Sequence, residues 1–246
     1  MGISELFLIA SGAIQLSTLL LQFRYNNFRK SIAGLSYDYI TLQCLALVAS
    51  TSSTILYASS RVSSLYTARF NVPTPPISYP TLFIELVQLV PCALLLTQQL
   101  WTLRATKQFY QGCSRHMAGF ILFTCIPFFY FAKCCFMGQA KINLLDVIDS
   151  IWLLGKSWGA VCLVPQVANN WFAESTLGLF PHWMVFAVAT VGLETLARWS
   201  QGSWTEISVN SPSWPTIVLR GSTIGAIALQ GRAYGDPDEP VHYKSV

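Results

Sequence analysis

Four charged side chains, Glu85, Asp149, Lys156 and Arg220, stand inside long apolar runs of this chain. A charge at such depth is costly and normally faces a partner or a water-lined cavity. Acids there can carry protons, and so can Asp38, which follows Gly34-Leu35-Ser36 at the head of another apolar run. Asp38 can equally serve as a carboxylate complementing a helix N-terminus. Asp149 and Lys156 lie seven residues apart, two turns along one helix face, and are expected to look into one cavity. Glu194 and Arg198, at i,i+4 spacing, are expected to pair locally.

Uncharged polar residues form a second set. Gln22, Asn26, Phe28, Ser31, Gly34 and Leu35 recur as Gln166, Asn170, Phe172, Ser175, Gly178 and Leu179, in register at an offset of 144 residues. The amides Gln22, Asn26, Gln166 and Asn170 donate and accept hydrogen bonds without a net charge. They suit the polar ends of a zwitterion or a sugar, or they cap helix ends. An internal repeat that closes two apolar runs points to similar helical halves around a shared site.

The elements that carry these residues follow from composition. The chain is 53% hydrophobic and 11% charged, against about 25% charged for a soluble domain. Spans of about 20 apolar residues are expected near 4–23, 37–59, 79–102, 117–136, 145–165, 179–200 and 213–231. Seven such helices leave no room for a soluble catalytic domain. The Pro-rich stretch Val72-Pro73-Thr74-Pro75-Pro76 marks a loop. Ala46, Ala49, Ser50 and Ser53 form a small-residue stripe suited to close helix packing.

Basic residues set the orientation. Arg24, Arg29, Lys30, Arg104, Lys107, Arg115, Arg232 and Lys244 fall on one side, against Arg61, Arg69 and Lys141 on the other, with Lys133 at a helix end. This bias puts the N-terminus outside and the C-terminus in the cytosol. The first apolar run lacks a preceding basic region and is expected to stay as a helix rather than be cleaved as a leader. The same scatter of basic residues excludes a nucleic-acid patch. Seven cysteines without CxxC spacing are expected to serve helix packing, and no metal or other cofactor is expected.

Because the repeats follow spans 1 and 5, they fall on one side, and the fold class is an all-α membrane protein of two parallel three-helix bundles joined by helix 4. This 3+1+3 plan divides the chain into a first bundle over 1–103 with motif 21–36, a linker with helix 4 over 104–143, a second bundle over 144–231 with motif 165–179, and a cytosolic tail over 232–246.

The run Arg29-Lys30-Ser31-Ile32-Ala33-Gly34-Leu35-Ser36-Tyr37-Asp38-Tyr39, together with Pro165-Gln166 and Ser175-Thr176-Leu177-Gly178-Leu179, resembles the PQ-loop repeat family. Within the MtN3/SWEET/PQ-loop superfamily of seven-helix transporters it is most similar to the cystinosin-like members. The resemblance implies a proton-coupled carrier (a symporter) of a small amino acid such as cystine, or a related carrier of sugars or cationic amino acids. It implies an endolysosomal or vacuolar membrane and a proline hinge at Pro165. The candidate substrate pathway is Gln22, Asn26, Pro165, Gln166, Asn170 and Lys156; the resemblance implies Asp38 as a proton-coupling residue, and the acids within apolar runs, Glu85 and Asp149, are the other candidates for that role. Two positions depart from the family: Leu21 replaces the first motif's proline, and Ala187 stands where the carriers place an aspartate on helix 6. Expected partners are a solute, protons and the lipid bilayer, with a homo-oligomer left open. The tail Tyr243-Lys244-Ser245-Val246 has the form of a tyrosine-based sorting signal. Two other readings remain. One is a membrane-embedded enzyme using Glu85 and Asp149 on a lipid-soluble substrate; the other is a non-transporting receptor or trafficking factor.

Overall fold

The computed structural model describes residues 2–109, 111–138, 141–201 and 208–234; the tail signal at 243–246 lies outside them. The described residues build nine α-helices: α1 (Ile3–Arg29), α2 (Tyr37–Tyr57), α3 (Ser60–Phe70), α4 (Tyr79–Thr97), α5 (Arg115–Phe136), α6 (Leu144–Val161), α7 (Val164–Ala173), α8 (Trp183–Ser200) and α9 (Trp214–Ala233). Five stretches are long and apolar enough to cross a membrane: α1, α2, α4 with the turn after it, α5, and α6 with α7. The helices α8 and α9 have 18 and 20 residues, a rise of roughly 27–30 Å at 1.5 Å per residue. Glu194, Arg198, Arg220 and Arg232 dilute their apolar content. Exposed Leu122, Phe123, Ile126, Phe129 and Tyr130 give α5 an apolar outer face, as a lipid-facing helix requires.

Two boundaries differ from the sequence reading, and both have local causes. Hydropathy falls after Phe23, yet α1 continues to Arg29 because buried partners satisfy Gln22 and Asn26 inside the helix. The expected fifth span is interrupted: α6 stops at Val161 and α7 restarts at Val164. Pro165 has no N–H, and its ring would strike the carbonyl four residues back, so the ladder breaks just before it. Leu21 at the matching position leaves α1 unbroken over 27 residues. The short helix α3, within an expected loop, ends at left-handed Asn71 (φ 55°) ahead of Pro73.

In the packing, α4 contacts both α1 and α2, and α9 contacts both α6 and α8. Lengthwise contacts join α1 to α8 and α2 to α6, while α5 lies on α6. At the α2–α6 contact a Cβ on Gly155 would sit 2.9 Å from the Ser50 nitrogen, and one on Gly159 would touch Ala46. The small-residue stripe is therefore a close helix contact. Around it Leu35, Ile40, Leu42, Leu95 and Leu154 form the main apolar core.

A side chain at Gly155 must push α2 and α6 apart. We expect Gly155→Val to lower stability by about 1–3 kcal/mol. Gly192→Ala on α8, where a Cβ meets open space, should be neutral or stabilising by up to about 1 kcal/mol. Thermal unfolding in detergent compares the two, and equal melting temperatures would refute the contact.

Candidate functional site: an interlocked pair of repeats beside a charged cavity

The two repeat segments fold alike. Each preceding helix ends in a left-handed residue, Lys30 (φ 48°) or Glu174 (φ 46°). Ser31 and Ser175 then donate their N–H groups back to the Asn26 and Asn170 carbonyls at 3.1 and 3.2 Å. Their hydroxyls in turn accept from the Ala33 and Leu177 N–H groups. These bonds satisfy the helix C-terminal carbonyls that a helix end leaves open.

The glutamines then cross over. Gln22 Nε2 donates to Asn26 Oδ1 and to the Gly178 carbonyl, both at 2.9 Å, while its Oε1 accepts from the Phe180 N–H at 3.1 Å. Gln166 Nε2 donates to Asn170 Oδ1 at 2.7 Å and to the Gly34 carbonyl at 2.9 Å, and its Oε1 accepts from the Ser36 N–H at 2.8 Å. Each glutamine thus binds the backbone of the other copy, at positions related by the same offset. The loops touch where a Cβ on Gly34 would lie 2.7 Å from the Gly178 nitrogen, and Gly34 itself has φ +84°. Only glycine fits there without displacement.

A further glutamine completes each half. Asn26 Nδ2 donates to Gln98 Oε1 at 3.0 Å, and Gln98 Nε2 donates to the Phe23 carbonyl. Likewise Asn170 Nδ2 donates to Gln230 Oε1 at 3.3 Å, and Gln230 Nε2 donates to the Val167 carbonyl. Gln98 opens a widened π-helical turn, Gln98–Thr102, after α4. Sequence reasoning missed this pair because it falls outside the 144-residue register. A buried-length apolar run ending in glutamine was the one available signal.

A partly enclosed cavity of about 110 Å³ lies between α1, α2, α4, α6, α8 and α9. Glu85 and Gln88 of α4, Lys156 of α6, Glu194 of α8 and Arg220 of α9 line it. Arg220 Nη1 donates to Glu194 Oε1 at 2.7 Å, and Lys156 Nζ donates to the Ser211 carbonyl at 2.8 Å. Ser50 Oγ donates to Glu85 Oε1 at 3.2 Å, and Gln88 Nε2 to the Gly12 carbonyl at 2.8 Å. Among the described residues Glu85 Oε2, Gln88 Oε1, Glu194 Oε2 and Arg220 Nε are buried with no hydrogen-bond partner. A smaller hollow of about 40 Å³ shares Gln15, Gln43 and Arg220 with this cavity, and Ala187 lines it. Ala187 of α8 therefore faces the hollow, while Glu194, two turns further along α8, supplies an acid to the main cavity.

Three expectations are corrected or refined. Asp149 and Lys156 do not share a cavity: Asp149 accepts the Tyr57 hydroxyl and borders a cleft beside α5. Seven residues along a helix amount to roughly 10 Å of rise, enough to put the two groups at different levels. Glu194 pairs with Arg220 on the neighbouring helix rather than with Arg198. Asp38 accepts from the Ser114 N–H at 3.1 and 3.2 Å through its two oxygens and so ties down the start of α5. At the other end of the helices, Arg69 of α3 meets Asp146 at 2.6 Å. That hydrogen bond holds the guanidinium above its ordinary pKa. Among the described residues no cluster of His, Cys, Asp and Glu could hold a metal.

These features define an all-helical protein with spans long enough for a bilayer, a buried polar interlock and a separate charged cavity. No family model matches the chain. It is 25% identical to the uncharacterized protein YCL002C of Saccharomyces cerevisiae over 231 residues, covering 85% of this chain and 86% of the yeast protein.

Since the glutamines act as a reciprocal pair, we expect both Gln22→Leu and Gln166→Leu to destabilise. The first leaves the Gly178 carbonyl and the Phe180 N–H unpaired, and the second leaves the Ser36 N–H unpaired while Asn169 still donates to the Gly34 carbonyl, at about 1–3 kcal/mol for each unpaired group. Melting temperatures of the two variants in detergent measure this. A large loss in one and none in the other would refute the reciprocity.

Proposed function

We propose that this chain is a seven-helix carrier of the PQ-loop, cystinosin-like type. It moves a small polar solute, such as an amino acid of the cystine class, by alternating access with proton coupling. The observation that carries the proposal is the charged cavity, whose lining residues come from both sets of helices. In this reading α1, α2 and α4 form the first triplet, α5 is the linking helix, and α6–α7, α8 and α9 form the second. The helix pairings support the plan, because the third helix of each triplet contacts the other two.

Contacts between the triplets occur at both ends of the cavity. At one end Gly34 meets Gly178. At the other, the Val209 N–H donates to the Pro76 carbonyl at 3.0 Å, and Asn210 bonds the Ser78 backbone in both directions. The 19 residues of α4 separate these ends, roughly 28 Å of helix. A carrier opens one such closure at a time, and the break before Pro165 gives the second triplet a place to bend. Glu85 is the proton site in this scheme because it lines the cavity, which Asp38 and Asp149 do not. The chain resides in an endolysosomal or vacuolar membrane, with its N-terminus luminal and the interlocked repeats toward the cytosol.

Uptake of radiolabelled cystine, basic amino acids and glucose into proteoliposomes tests the proposal. We expect flux of one solute to rise with an inward acid gradient. Glu85→Gln should abolish the gradient's effect, whereas Asp149→Asn should retain it. Absence of flux for every solute from folded protein would overturn the carrier reading, and product formation without flux would replace it with an enzyme.

A further inference from the structure

Polar atoms in the cavity are unevenly matched. Among the described residues three acceptor atoms lack a donor, namely Glu85 Oε2, Gln88 Oε1 and Glu194 Oε2, against one donor atom with no acceptor at all, Arg220 Nε. Gln88 and Glu194 are 1% and 5% exposed, so bulk solvent does not serve them. Glu85 and Gln88 lie three residues apart on α4, on one face of the helix. Each base has one protein acceptor: Arg220 Nη1 donates to Glu194 at 2.7 Å, and Lys156 Nζ to the Ser211 carbonyl at 2.8 Å. Lys156 Nζ also lies 5.6 Å from the centre of the Trp152 ring, within cation–π reach. Glu85 has only the Ser50 hydroxyl as a hydrogen-bond donor among the described residues.

We propose that the cavity recognises a small primary amine, its ammonium seated on the α4 face against Glu85 and Gln88. This rests on the reading of the cavity as a solute site and narrows the solute to a small amine, in place of the cystine-class amino acid. An ammonium offers three N–H donors, two of them for Glu85 Oε2 and Gln88 Oε1 on the α4 face, and a charged donor to a carboxylate makes the stronger kind of hydrogen bond. A carboxylate on the solute can use the N–H groups that Lys156 and Arg220 leave uncommitted, so a zwitterion is accepted too, while a solute without an ammonium leaves Glu85 unmet. A sugar offers no charge to Glu85. The volume of about 110 Å³ corresponds to on the order of four water-sized groups at about 30 Å³ each. It favours a body smaller than cystine, with a short hydroxylated or aliphatic chain.

The test is thermal stabilisation of the purified protein in detergent by millimolar ethanolamine, glycine, glucose or acetate. Selective ligand binding to the folded state raises its melting temperature. Ethanolamine should stabilise, glycine should do so through the same ammonium, and glucose and acetate should do so far less. Glu85→Gln and Gln88→Leu, each still folded by its own melting transition, should weaken the apparent ethanolamine affinity by about tenfold or more. If Glu85→Gln does not fold, Gln88→Leu and the wild-type comparison still decide. The proposal falls if glucose or acetate stabilises as much as ethanolamine, if ethanolamine gives no shift, or if both variants keep the full shift. Ethanolamine binding without flux in proteoliposomes would leave this inference standing and remove the carrier reading. Flux of glucose without ethanolamine binding would do the reverse.

Discussion

Two glutamine side chains, each bonded to the backbone of the other's loop, are the constraint on which the remaining structure depends. The loops after α1 and α7 turn too tightly to pair all their own peptide groups. The Gly34 carbonyl and Ser36 N–H in one, and the Gly178 carbonyl and Phe180 N–H in the other, are met by Gln166 and Gln22. Away from water an unpaired peptide group is expensive, so neither loop is satisfied without the opposite half in place. The two glycines let the loops come close enough for the amides to reach, and Asn26 and Asn170 orient those amides from one turn along the helix. Motif, turn and register of α1 on α8 and α2 on α6 are therefore consequences of one exchange of bonds.

Much of this was legible because the residue types recur at a constant offset, and identical local chemistry folds identically. The long apolar helices were legible for the same kind of reason, since burial in lipid demands an uninterrupted hydrophobic run. What the amides bind was not legible. Gln22 and Asn26 looked like the polar end of a span because hydropathy counts side chains one by one, whereas their burial depends on partners more than seventy residues away, Gln98 among them. Gln98 and Gln230 escaped notice because their spacing departs from the repeat. Charge pairing failed in the same way. The i,i+4 neighbour Arg198 is visible to a linear reading, while Arg220, the actual partner of Glu194, meets it only through the packing of α9 on α8.

The two halves are not equivalent, and the differences concentrate where movement and chemistry would be needed. Proline stands at one of two matched positions, so one half carries a broken helix and the other a continuous one. The first half contributes Glu85 and Gln88 to the cavity through α4, and the second contributes Lys156, Glu194 and Arg220 through three separate helices. Acid at position 187 is absent, but the cavity does not lack acids, because Glu194 and Glu85 reach it from other elements.

Buried polar groups in this chain fall into two populations, and the division between them argues for separate roles. In the interlock, every N–H of Gln22 and Gln166 has a protein acceptor. A saturated network of this kind fixes a unique arrangement and offers nothing to a ligand. A few helical turns away the cavity retains four polar atoms without partners among the described residues, each costing about 1–3 kcal/mol if left unmet. Substituting apolar residues there would remove that cost, as replacements of buried ion pairs elsewhere do, so stability alone gives no reason for such a lining. An open acceptor set beside a closed structural network is the arrangement expected when a visiting donor, rather than the fold, completes the bonding.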